Sequence, residues 1–393
     1  MPDDPYAWIE KDLHTLHRAG WYRSVRTSHT QAGPWLESST APRKLNLGSN
    51  DYLGLTVDER VREAAIQAIQ RYGTGATGSR LLSGHLEIHQ ELEQALAQFK
   101  GTEDALVFPS GYMANLGTIS ALVGSRDLLL GDVYNHSSLK SGAKLSGARY
   151  YEYAHGSVEH LEALLNQARA QARRCLICTD SVFSMDGDMA PLAAILDLAQ
   201  RFEAMVLVDE AHGTGVLGVR GAGAIEALGL QKHSCIQMGT LSKALASQGG
   251  YVCGSKSLVD FLRNRAPTWI YTTALAPGDA AAALSALRIV QTEPHHREQL
   301  WQRVQQVKQG LTTLAALELF ASDSCILCLK TGTISQTMNL SKKLWERGFW
   351  VPAIRPPTVP TSRLRISMMS NHPKAALENF VAYLLQVFSL EPR

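Results

Sequence analysis

The sequence predicts an α/β fold, a mostly parallel sheet covered by helices on both faces, with a small α+β domain after it. Three observations predict it. From Asn46 onward, short apolar runs alternate with helical patterns. The chain has 393 residues, long for one domain. Its last hundred or so residues change to long helical stretches around two strand-like runs. The expected division is an N-terminal arm over 1–45, a large domain over 46–289 and a C-terminal small domain over 290–393.

The first 45 residues lack a clear core pattern and carry Gly and Pro breaks, which suggests an arm that packs on something else. Helices are read at Arg60 to Tyr72, His89 to Phe99, Val158 to Ala172 and Pro191 to Phe202. The strands between them are Asp104 to Phe108, Asp127 to Gly131, Cys175 to Asp180, Met205 to Asp209, Cys235 to Gly239 and Gly250 to Gly254. A long helical stretch begins near Pro277. A second, Arg297 to Leu317, lines up Leu300, Val304, Val307, Leu311 and Leu314 on one face. Strand-like Ile326 to Lys330 and Arg363 to Ser367 surround a helix from Ser335 to Arg347, and a final helix starts near Lys374.

The formal charge is +2, from 38 basic and 36 acidic residues, so there is no electrostatic case for nucleic acid or an anionic membrane as partner. No apolar run approaches the roughly 18 residues that a spanning helix needs. The chain is expected to be soluble and cytoplasmic. Six cysteines are too few for a disulfide scaffold of this size. Cys175 with Cys178, and Cys325 with Cys328, form two CxxC pairs in short apolar runs that read as strands. Residues i and i+3 of a strand face opposite ways, so core thiols and no metal site are expected.

The chemistry concentrates at Lys243, in Gly239-Thr240-Leu241-Ser242-Lys243, and at Asp209, which ends the apolar run Met205-Val206-Leu207-Val208 34 positions earlier. A lysine on a hydroxyl-rich turn with a strand-end carboxylate suits pyridoxal 5'-phosphate (PLP). The amine can form a Schiff base with the aldehyde, and the carboxylate can keep the pyridine nitrogen protonated. Taken alone, Asp209 can also be read as an exposed turn residue, and a lone lysine in such a turn is more often a solvated charge. Asp209-Glu210-Ala211-His212 also spells a helicase-type box, but no phosphate-cradling Gly-Lys loop exists to serve it. Two G-x-G-x-x-G matches, from Gly73 and from Gly213, lack the strand-then-helix context of a dinucleotide site. Pro109 to Asn115 follows a strand and opens a helix, where backbone N–H groups can hold a phosphate or where Ser110 is a plain N-cap. Thr240 and Ser242 add hydroxyl donors beside the amine. His136 offers a flat ring for stacking, or is an ordinary loop histidine. No Gly-x-Ser-x-Gly elbow supports a serine hydrolase.

Together, Ser49-Asn50-Asp51-Tyr52-Leu53-Gly54-Leu55, the Gly73–Arg80 segment, Ser110-Gly111-Tyr112, Val182 to Asp188, Val208 to Gly213 and Thr240 to Lys243 resemble the α-oxoamine synthases. These are PLP enzymes with the aminotransferase-like fold (fold type I), and the resemblance covers nearly all of the chain from about Lys44. Ala353 to Pro360 most resembles the biotin-pathway branch, which makes 8-amino-7-oxononanoate; siblings use glycine or serine with other acyl-CoA donors.

The resemblance implies that Lys243 carries PLP, Asp209 pairs with its ring nitrogen, and His212 and Ser184 approach its phenolic oxygen. His136 would stack on the ring, with Gly111, Tyr112 and Thr240 holding the phosphate. Arg365 would bind the amino-acid carboxylate, and Asn50, Arg23, Arg355 and Thr358 would contact substrate. Lys243, His136 and Asp209 would be the catalytic set. Arg355 is equally readable as a structural ion-pair residue. A homodimer is implied, acting on L-alanine and a pimeloyl thioester of CoA or acyl-carrier protein. Two departures from the family pattern stand out. Ala246 replaces a frequent Gly just after the lysine, and the link Pro360-Thr361-Ser362-Arg363 is short, which puts the placement of Arg365 in question.

Overall fold

Strand alternation decides the core of this protein, whose computed structural model describes residues 4–25, 27–29, 32–38, 41–312 and 318–390. β1 (Trp35–Ser38) and β2 (Ala41–Asn46) lie in the arm. β3 (Asp104–Phe108), β4 (Leu128–Asp132), β5 (Arg149–Tyr153), β6 (Cys175–Asp180), β7 (Met205–Asp209), β8 (Ile236–Thr240) and β9 (Gly250–Gly254) form one seven-stranded sheet. β10 (Ile326–Gly332), β11 (Phe349–Trp350), β12 (Ala353–Ile354) and β13 (Ser362–Ser367) follow.

The large sheet runs β3-β9-β8-β7-β6-β4-β5, and only β9 is antiparallel to its neighbours. Both faces are covered. Leu128, Leu130, Cys175, Ile177, Val206 and Val208 face one apolar layer. Leu129, Leu176, Cys178 and Leu207 face the other. Strands buried on both sides read as unbroken apolar runs, which is why the central ones were legible in the sequence. Cys175 and Cys178 thus point to opposite layers, as expected. Cys325 precedes β10 and shares one core layer with Cys328, so the strand argument does not apply to that pair. All six cysteines are free thiols.

Several boundaries move. β4 and β8 each sit one residue later than the sequence pattern suggests. β5 was not anticipated at all: it is an edge strand whose middle residues Tyr151 and Glu152 are exposed, so no apolar run betrays it. The helix read to Ala172 ends at Ala168 and tightens into a 3-10 turn at Arg169–Gln171. The helix read from Arg297 starts at His295, after Pro294, and runs to Leu311. Leu314 and Leu317 lie outside the described residues.

The arm does pack on something else. β2 joins β1 and β11 in a three-stranded sheet, with Leu45 paired in parallel to Phe349. The other small sheet is β10-β13-β12. In front of β1, the helix Ala7–Arg18 buries no residue; Trp8, Ile9, Leu13 and Leu16 are exposed. No described helix is long and apolar enough to cross a membrane.

Candidate active site

Parallel strands deliver their C-terminal ends to one edge of a sheet, and ligands gather there. β6 and β7 end in register, Asp180 opposite Asp209, so two carboxylates arrive at one level. β8 follows with Thr240, and the turn beyond it brings back Lys243. These residues line a cavity of about 240 Å³ with Gly111, Tyr112, Asn115, His136, Ser138, His212 and Ser242.

Asp209 is held on both oxygens. Ala211 N–H donates to Oδ1 at 2.9 Å and Asn115 Nδ2 to Oδ2 at 2.8 Å. The other hydrogen of the Asn115 amide goes to Ser138 Oγ at 2.8 Å, and Ser138 Oγ lies 2.7 Å from Nδ1 of His136. Ser138 N–H also donates to that nitrogen. Nδ1 is therefore an acceptor, and the ring proton of His136 sits on Nε2. Asp180 fixes the same segment by accepting the His136 backbone N–H at 2.7 Å. Burial, and then the neighbouring Asp209, push Asp180 well above the usual carboxylate range. Burial keeps His136 below its ordinary value. It also lowers Lys243 to about 8, with Asp209 and Asp180 pulling the other way. An amine at that level is still mostly protonated near pH 7, yet its neutral, nucleophilic fraction is far larger than that of an ordinary lysine.

At the far end of the cavity, Ser110 caps the helix Gly111–Leu122 through Met113 N–H. The bland N-cap reading is correct, and it leaves the N–H groups of the first turn directed outward at the positive helix end. A Cβ on Gly250 would lie 2.5 Å from the Gly111 backbone, so glycine at 250 permits this approach. Thr240 Oγ1 donates to Gly249 O and lies 2.8 Å from Ser242 Oγ. The cavity thus has an amine at its centre, a carboxylate on one wall, a flat neutral imidazole, and an amide-and-hydroxyl anion cradle. That donor set fits PLP.

His212 is buried; burial first, then the charges of Lys243 and Arg365, keep it well below its ordinary value. Glu210, next to Asp209, faces away: it accepts from Ala224 N–H, Ile225 N–H and Ser181 Oγ, a structural duty.

The remaining expected residues lie around this cavity. Arg365 spends Nε on Ser184 O at 2.6 Å, Nη1 on Ser367 Oγ at 2.6 Å and Nη2 on Asn50 Oδ1 at 3.1 Å. Two positions before it on β13, and so on the same strand face, Arg363 makes a buried ion pair with Asp186. Ser184, Arg23 and Thr358 line a neighbouring cavity of about 490 Å³ that shares His136. Arg23 Nη2 donates to Thr358 Oγ1 at 3.0 Å. Arg355 lines a third cavity, of about 530 Å³, with Arg23, Lys44 and Trp350. Its Nε and Nη2 donate to the carbonyls of Gly20 and Tyr22, both at 2.8 Å, so it clasps the arm by carbonyl oxygens rather than by an ion pair.

Sequence reasoning missed Ser138, Asp180 and Tyr52, and gave Asn115 no role. The register of β6 with β7 is the signal that could have found Asp180. Asn115 and Tyr52 depend on contacts between distant segments, and Ser138 stands two positions from His136.

A family model for class I and II aminotransferases matches residues 42–384. A protein of Gloeothece citriformis, provisionally named 8-amino-7-oxononanoate synthase, is 59% identical over 94% of this chain and 96% of its own. A structure of the S. paucimobilis serine palmitoyltransferase with bound PLP and myriocin is 30% identical, with a TM-score of 0.92 over 98% of each chain. The 8-amino-7-oxononanoate synthase of Francisella tularensis is 28% identical, with a TM-score of 0.75 over 88% of this chain and 99% of that one.

Proposed function

This chain belongs to the class I and II aminotransferase family and, within it, to the 8-amino-7-oxononanoate synthases, PLP-dependent acyltransferases of fold type I; from that premise we propose that it joins L-alanine to a pimeloyl thioester. The products are 8-amino-7-oxononanoate, carbon dioxide and the free thiol of CoA or acyl-carrier protein, a step toward biotin. The observation that carries this reading is the convergence of Lys243, Asp209 and His136 on one cavity, with Arg365, bonded to Asn50, close enough for its charge to act on Lys243 and His212.

Bound PLP supplies an electron sink for the pair left when a bond to the amino-acid Cα breaks. Lys243, with its lowered pKa, takes the Cα proton and later returns one. Asp209, fixed by Asn115 and Ala211, would keep the ring nitrogen protonated. The first-turn amides of Gly111 and Tyr112 and the Thr240 hydroxyl would hold the phosphate, and His136 would lie against the ring. His212 and Ser184 would approach the phenolic oxygen. Arg365 would bind the substrate carboxylate and so fix which Cα bond breaks. With Nδ1 occupied, His136 has its Nε2–H free to meet the oxygen that develops charge as the thioester is attacked. Arg23, Thr358 and Arg355 line cavities suited to the acyl chain and its distal carboxylate.

We take the working form to be a cytoplasmic homodimer, a reading supported by the apolar side chains left exposed on the arm helix. The likeness to serine palmitoyltransferase favours a second reading, in which serine or glycine condenses with a different acyl-CoA. The near full-length identity to the 8-amino-7-oxononanoate synthases outweighs it. Mass spectrometry of products from pimeloyl-CoA or the carrier-protein thioester with alanine, glycine or serine tests both. A product from alanine alone supports the proposal, and one from serine or glycine alone overturns it.

A further inference from the structure

Tyr52 stands between the two halves of this site and belongs to neither as described so far. Its side chain is wholly buried. Its hydroxyl lies 2.6 Å from His212 Nδ1 and 3.1 Å from Asn50 Oδ1, and the same Asn50 oxygen accepts from Arg365 Nη2 at 3.1 Å. The four side chains therefore form one line, Arg365–Asn50–Tyr52–His212, from the carboxylate-binding arginine to the cofactor cavity.

We propose that Tyr52 is a positioning residue whose single hydroxyl proton is shared between His212 and Asn50, so that carboxylate binding at Arg365 changes the hydrogen bond His212 offers in the cofactor cavity. The inference rests on the reading of Arg365 as the carboxylate site.

The argument is one of donors and acceptors. Asn50 Oδ1 and neutral His212 Nδ1 can each accept the hydroxyl proton, and the hydroxyl has only one to give. Burial raises Tyr52 and lowers His212, so the phenol stays protonated and the imidazole stays neutral. While Arg365 is free, its charged guanidinium engages Asn50 Oδ1. The short contact then gives the Tyr52 proton to His212 Nδ1, which places the imidazole proton on Nε2, toward the cavity. A carboxylate paired with Arg365 neutralises the guanidinium and weakens its bond to Asn50. Asn50 Oδ1 becomes the better acceptor for Tyr52. His212 is then free to carry its proton on Nδ1, donating to Tyr52 Oη, which turns Nε2 from donor to acceptor. The cofactor's phenolic oxygen would lose a donor when the amino acid arrives, a change timed to substrate binding.

Propionate, a carboxylate with no amine, is the probe. The PLP-loaded protein is titrated with pH while its absorbance spectrum is recorded, with and without saturating propionate, and propionate binding is measured separately by calorimetry. In the wild type, propionate should move the midpoint of the spectral transition by about one pH unit, the size of one charge-linked hydrogen bond. Tyr52→Phe should bind propionate yet show a shift several-fold smaller. Because Tyr52 is fully buried, Asn50→Ala serves as a second variant that cuts the line one link earlier and should lose the shift too. Propionate binding with no shift in the wild type overturns the inference, as does a full shift retained in either folded variant. No propionate binding in the wild type overturns the Arg365 reading instead, and the inference with it.

Discussion

Asn115 Nδ2 lies 2.8 Å from Oδ2 of Asp209, and its second amide hydrogen runs to Ser138. One side chain thus fixes both the Asp209 carboxylate and the serine that orients His136. Asn115→Leu keeps the volume and removes both bonds. Hydrogen bonds to charged groups contribute about 1.5–3 kcal/mol, so turnover should fall tenfold or more while PLP still binds. Steady-state kinetics with an absorbance check of loading decides it; turnover within twofold of wild type would remove Asn115 from the machinery.

Lys243 should show its lowered pKa before any substrate is added. The protonated amine cannot attack an aldehyde, so the rate of PLP uptake by cofactor-free protein should rise with pH through about 8 and then level off. Stopped-flow absorbance across pH 6 to 10, a window set around that value, measures it. Lys243→Ala should retain less than roughly a thousandth of wild-type turnover, the scale of a lost acid–base group.

Arg355 holds Gly20 and Tyr22 by their carbonyls, so Arg355→Ala should free the arm as well as weaken the acyl substrate. Limited proteolysis near residues 19 to 29 should quicken, and KM for the pimeloyl thioester should rise about tenfold, one lost charge-assisted contact, with KM for alanine much less affected. Equal weakening of both substrates would assign Arg355 to structure alone.

Ala246 sits at φ +53°, a left-handed conformation. That backbone costs an L side chain roughly 1–2 kcal/mol, and glycine's greater unfolded-state freedom takes back about 0.5–1 kcal/mol. Ala246→Gly should therefore raise stability by roughly 0.5–1 kcal/mol in urea denaturation. A clear loss would mean that packing of the methyl group outweighs the strain.

His372 is buried with Nδ1 accepting from Met369 N–H at 3.1 Å and Nε2 set 2.9 Å from Asn46 O. Burial lowers it from 6.5 to about 4. The unfolded chain takes up its proton near 6.5 and the folded one only near 4, so stability should fall as pH drops through that interval. His372→Gln should reduce the slope of stability against pH by about one proton between 6.5 and 4. An unchanged slope would show that the wild-type imidazole is protonated in the fold.

The fold was legible where burial is two-sided. β6 and β7 announce themselves because both faces are covered, and β5 does not because its middle is wet. Of the site, the residues whose side chains carry chemistry of their own were legible: Lys243, Asp209, His136 and His212 all reach one cavity. Asn115 acts on Asp209 94 positions away and Tyr52 on His212 160 positions away, and no local pattern marks such pairs; Ser138 lies only two positions from His136, but its link to Asn115 shows in the fold alone. The Ala246 departure did have a meaning, since glycine is the residue that enters a left-handed turn without strain. The short link before Arg363 leaves Arg365 paired across the sheet with Cys328 and bonded to Asn50.

The pairing of Leu45 with Phe349 also orders events in time. A ribosome makes the central strand of that small sheet early and its parallel neighbour roughly 300 residues later, an interval of about 15 to 60 s at 5–20 residues per second. For that long one edge of β2 has no strand to bond to, and an unpaired edge invites the wrong one. Arg43 and Lys44 lie on this segment, and charge along an edge discourages such pairing. The arm is thus made long before the strand that completes its sheet, and β2 stays exposed to mispairing until Phe349 and Trp350 emerge.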